Sequence, residues 1–101
     1  MGGLVKMTTT AETILEQLGG NRFLVMTGSR VFSKGQHSLH LKLAPNKSGA
    51  DRLTITINSL NLYMMQFRKG TGESVFGING ILLAQLKKIF TENTGFYITT
   101  I

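Results

Sequence analysis

Cysteine is absent from this chain, which excludes disulfide staples, thiolate zinc sites and cysteine nucleophiles together. That absence fits a reducing compartment. Tryptophan is absent too, so the core must rest on Leu, Ile, Val, Phe and Met. No apolar run approaches the ~18 residues of a membrane span, and the opening, Met1 to Met7, has no apolar stretch of signal-peptide length. A cytoplasmic protein without membrane association is expected. Acids are scarce: five Asp and Glu stand against eleven Lys and Arg, for a formal net charge of +6.

The missing chemistry extends to catalysis. Glu12, Glu16, Asp51, Glu73 and Glu92 are scattered, whereas paired-carboxylate catalysis needs two groups facing one substrate. No Gly-x-Ser-x-Gly elbow is present. Gly70-Thr71-Gly72 is too short for a dinucleotide fingerprint, and no Gly-Lys-Ser/Thr follows it. Gly77-Ile78-Asn79-Gly80 leads towards a helix whose free amides can hold an anion, but any helix start uses such residues. His37 and His40 are an odd offset apart in an extended stretch, which sends them to opposite faces with no carboxylate nearby. They read as surface histidines. The expectation is a non-enzyme with no cofactor and no metal.

What is present suits one small domain. At 101 residues with 42% hydrophobic and 16% charged composition, the chain can build a single modest core. Residues 1–8 read as a flexible N-terminal extension and residues 9–101 as one domain. Met7 is a candidate original start, with residues 1–6 upstream of it.

Thr9-Thr10-Ala11-Glu12 has the form of a capping box, with Thr9 on the free amides and Glu12 reaching back. Ile14, Leu15 and Leu18 share the following helical face, and Gly19-Gly20 supplies a stop. Residues 22–27 are almost wholly apolar, as in a strand covered on both faces. Residues 28–35 read as a loop. Residues 38–43 alternate, with Leu39, Leu41 and Leu43 inward and Ser38, His40 and Lys42 outward. Residues 52–58 do the same, with Leu53, Ile55 and Ile57 inward and Arg52, Thr54, Thr56 and Asn58 outward. Turn residues 45–49 join these two strands as a hairpin.

Residues 62–68 form a further strand, with Tyr63, Met65 and Phe67 inward because Gln66 and Arg68 favour solvent. Residues 69–72 turn the chain into a short strand at 73–76. A second helix starts at Asn79 or Gly80, carries Leu82, Leu86, Ile89 and Phe90 on one side, and closes at Thr94-Gly95. Residues 96–98 return as a short strand. The fold expected is α+β: a helix, an antiparallel four- to five-stranded meander and a helix, with both helices on one sheet face.

The positive charge is unevenly placed. Between Gln17 and Ala50 there is no acid, yet Arg22, Arg30, Lys34, Lys42 and Lys47 fall there. A one-signed stretch attracts polyanions, so nucleic acid is the first partner to consider. Candidate contacts are Arg30, Lys34, His40, Lys42, Arg52 and Arg68, with Phe32 as the free aromatic. No RRM, KH or zinc-finger pattern accompanies them. The alternative partner is a protein. Leu62, Met64, Val31 and Phe32 can form an apolar patch for a host protein or a second copy of the chain, and strand edges at 22–27 or 73–76 can pair between subunits.

The run Thr13-Ile14-Leu15-Glu16-Gln17-Leu18-Gly19-Gly20-Asn21-Arg22-Phe23, then Met26-Thr27-Gly28, and later Phe90-Thr91-Glu92-Asn93-Thr94-Gly95, resembles a group of small uncharacterised bacteriophage and prophage proteins. The resemblance spans residues 11–97; its particular marks are Leu-Gly-Gly-Asn and Phe-Thr-x-x-Thr-Gly. Residues 62–67 depart from it in lacking acids. The resemblance implies an origin on a mobile element and action inside a bacterial host cell. Accessory proteins of that kind bind host or phage macromolecules. The leading expectation is a non-specific nucleic-acid binder; the alternative is an interaction module or inhibitor acting on a host protein, with self-association a further form.

Overall fold

The structure is a computed structural model in which residues 10–70 and 73–96 are described. The elements are α1 (Thr10–Leu18), α2 (Gly20–Thr27), β1 (Arg30–Lys34), β2 (Ser38–Lys42), β3 (Arg52–Ile57), β4 (Tyr63–Lys69), β5 (Glu73–Ile81), a 3-10 turn at Leu83–Gln85, and α3 (Leu86–Thr94). The strands form one open antiparallel sheet in the order β1-β2-β3-β4-β5. This is the expected α+β succession of helix, meander and helix, with five strands.

In α1, Ala11, Ile14 and Leu18 fall on one face at helical spacing and are completely buried. Thr9, the expected cap, lies outside the described residues, as does the expected return of the chain at Tyr97 and Ile98.

Gly19-Gly20 does not release the chain into a strand. Both glycines have positive φ, 128° and 64°, and this left-handed pair redirects the helix axis so that α2 begins at once. The strand expected at 22–27 is therefore a helix. Four apolar residues in a row satisfy either structure, and the period that decides is four: Phe23 and Thr27 are buried while Val25 is 73% exposed. The Thr27 hydroxyl donates back to the Phe23 carbonyl at 2.7 Å. Gly28, at φ 68°, ends α2.

The expected loop at 28–35 contains β1. Its alternation is broken by a bulge: Val31 pairs with Leu41 and Ser33 with His40, leaving Phe32 as the extra residue. At the far edge, β5 continues to Ile81, beyond the expected end at Phe76. Two register irregularities in its pairing with β4 and the positive φ of Gly80 disguise that length. The last helix accordingly starts later than Asn79 or Gly80, and Leu82 is 53% exposed instead of joining its apolar stripe. Gly95, at φ 80°, closes α3 as expected.

The hairpin and the β4 register follow the expected alternation. Leu39, Leu41, Leu53, Ile55, Tyr63, Met65 and Phe67 are buried, and they share one core with Ile14, Leu18, Phe23, Leu86 and Phe90 from the helices. Phe23 and Phe90 meet edge to face at 4.9 Å, joining α2 to α3. Helix α1 packs against both β2 and α3. Burial also pushes the Tyr63 hydroxyl pKa above its ordinary value. With the inward residues committed to this core, the alternate residues of β2, β3 and β4 present a second face.

Candidate nucleic-acid interface

Because strand side chains alternate, the register fixes which outward residues become neighbours. Arg30 pairs with Lys42, Lys42 with Arg52, and Arg52 with Arg68. Four cations from four consecutive strands thus stand in one row. At a strand spacing of ~4.8 Å the row is about 14 Å long. It crosses the sheet at the end carrying the β2–β3 and β4–β5 connections. No ion pair with a described acid involves any of its members.

Beside it runs a neutral polar row, in which His40 pairs with Thr54 and Thr54 with Gln66. His40 is held at both ring nitrogens: Nδ1 lies 3.1 Å from the Thr54 hydroxyl and Nε2 3.1 Å from that of Ser38. The guanidinium of Arg68 donates to the Gln66 side-chain oxygen at 2.9 Å. That bond uses one of the guanidinium's N–H donors and holds Arg68 along the face.

Phe32 owes its position to the bulge. The residue is 57% exposed, and the Arg52 guanidinium carbon lies 4.3 Å from its ring centroid. A cation over a ring face at this distance is an attractive contact. Phe32, His40, Arg52, Thr54, Arg68 and Gly70, with Leu41 and Leu53 beneath, line a shallow cleft of about 310 Å³. Asp51 precedes the row, and its carboxylate accepts the Gly70 amide at 3.0 Å, which ties the two connections together.

Of the residues singled out in the sequence, Arg30, Phe32, His40, Lys42, Arg52 and Arg68 share this surface. Lys34 does not join the row. It pairs with Leu39, a core-facing position, and is exposed at the end of the edge strand. Lys34 lies four residues along β1 from Arg30, at the other end of the strand, and the bulge, by reversing the parity of β1 after Phe32, also takes it off the outward alternation. Thr54 and Gln66, expected on the outward face from the alternation of their strands, lie beside the row.

The expected apolar patch does not assemble. Val31 packs against the core, and Met64 pairs with Thr56, two positions along β3 from Thr54 and further from the cations. His37 lines a separate cleft with Ile57, Asn58 and Ser59, away from His40. Among the described residues, no three His, Asp or Glu side chains group in a way that could hold a metal ion. No described helix is long and apolar enough to cross a membrane.

Comparison with protein-family models, with curated proteins and with solved structures yields no match.

Proposed function

We propose that this chain is an accessory protein of phage or mobile-element type that binds nucleic acid through its open sheet face, without sequence preference. The observation that carries this reading is the row Arg30–Lys42–Arg52–Arg68. Like charges directly opposite one another on adjacent strands destabilise a sheet. A polyanion laid along the row relieves that repulsion and releases counterions. Nothing on the face has the form of a base-reading motif, so contacts to the backbone dominate and sequence counts for little.

The test is a salt titration of binding to DNA and to RNA. Four phosphate contacts predict a slope of log K against log salt of about −3 to −4. No binding near physiological salt, or binding indifferent to salt, overturns the proposal. In this reading the protein is not an enzyme, needs no cofactor, and works in the host cytoplasm.

A second reading, an interaction module acting on a host protein, is supported by α2, where neighbouring Val25 and Met26 are 73% and 42% exposed. Self-association through strand edges has less support. Residues 22–27 offer no edge, and both true edge strands, β1 and β5, carry irregularities of the kind that discourage edge pairing. Capture from a bacterial lysate before and after nuclease treatment separates the two readings, since a protein partner survives the nuclease.

A further inference from the structure

We infer that the ligand of this face is single-stranded nucleic acid, with one unpaired base seated against Phe32 in the cleft while the neighbouring phosphates lie on the cation row. This inference rests on the nucleic-acid reading above. Three features of the cleft carry it.

The first is Phe32 itself. Phe32 is 57% exposed at a bulge, with the Arg52 guanidinium 4.3 Å from its ring centroid. Burying its remaining apolar area needs a flat partner, and every nucleobase has a π-face. In a duplex the bases are already stacked on one another and present only their edges in the grooves. Phe32 would then gain nothing.

Second, the two arginines of the cleft are pre-positioned. The Phe32 ring holds Arg52, and Gln66 holds Arg68 through a 2.9 Å hydrogen bond. Little side-chain freedom remains to be lost when a phosphate or a base edge arrives, so more of the contact energy appears as affinity. Each guanidinium carries five N–H donors in a planar fork, suited to phosphate oxygens or base acceptors.

Third comes scale. The cleft is about 310 Å³ and is lined by a ring, hydroxyl and imidazole groups, and two guanidiniums. That is the lower end of the usual range for ligand sites, room for one nucleotide and not for a helix. The cation row passes its rim, because Arg52 and Arg68 belong to both. One strand can therefore follow the row with its backbone and place a base in the cleft at the same time.

The experiment compares labelled oligonucleotides of equal length by fluorescence anisotropy: a natural single strand, an abasic strand with the same number of phosphates, and a duplex. The natural strand is expected to bind about tenfold more tightly than the abasic one, within the range of one base stacking on one ring. The duplex is expected to bind no more tightly than the abasic strand. Phe32→Ala should abolish the difference between natural and abasic strands, and Phe32→Leu, which keeps apolar bulk, should do the same. Equal binding of natural and abasic strands, or tighter binding of the duplex, overturns this inference and leaves the broader reading standing. Binding of none of the three overturns both.

Discussion

The two faces of the sheet are made by the same strands, yet they follow opposite rules. On the inward face, Leu39, Leu53, Ile55, Met65 and Phe67 are completely buried within one apolar cluster. Each residue there adds to stability by leaving water. On the outward face, Arg30, Lys42, Arg52 and Arg68 stand beside like charges in a row that works against the fold. A sheet selected for stability alone would alternate signs across its strands. The contrast teaches that the inward residues hold the domain together, whereas the outward row adds nothing to the core and is the part assigned to the proposed ligand.

Breaking the inward face should have the largest effect. Phe67→Ala removes a fully buried ring that stacks on Phe76 at 4.5 Å, and should cost about 3–5 kcal/mol in urea denaturation. On a small domain that is a large share of the whole stability. Phe90→Ala should cost a similar amount, since it empties the junction between α2 and α3.

Breaking the outward face should leave the fold intact and weaken the ligand. The double variant Arg52→Gln, Arg68→Gln should reduce the salt slope of nucleic-acid binding by about two, with the circular dichroism spectrum unchanged. Its thermal stability should equal or slightly exceed that of the parent, because repulsion has been removed.

A finer distinction separates two lysines of neighbouring strands. Lys42→Gln should lower the slope by about one, whereas Lys34→Gln should change it little, because Lys34 stands at the other end of β1 from the row. Equal effects of the two would mean that charge counts and position does not. The smallest expected effect is on the free protein. Raising salt from a low level should increase the midpoint of thermal unfolding slightly, by screening the row, a gain of about 1 kcal/mol or less.

The hairpin β2–β3 could be read from the sequence because both strands alternate without interruption and are joined by a turn rich in turn-forming residues. The inward set of β4 followed from Gln66 and Arg68. The rest was hidden by departures from regular period. Residues 22–27 are too short for hydrophobic pattern alone to choose between strand and helix, and the choice fell to the glycine pair that turns α1 into α2.

In β1 the bulge at Phe32 puts two apolar residues side by side and erases alternation, so the strand resembled a loop. In β5, Gly77 and Gly80 had the look of a helix start. The site shared this fate. Its residue types were visible one by one, and the pairing of Lys42 with Arg52 follows from the hairpin. The row of four, and the meeting of Phe32 with Arg52, depend on the register of β1 and β4, which local pattern does not specify.

The measurement that bears most directly on the row is the salt dependence of single-strand binding by the parent and by the fourfold variant Arg30→Gln, Lys42→Gln, Arg52→Gln, Arg68→Gln. The parent slope should be about −3, from four contacts to a single strand, and should fall close to zero in a variant that remains folded by thermal melt. A folded variant that binds with the parent's slope would show that the charge row is not where nucleic acid lies.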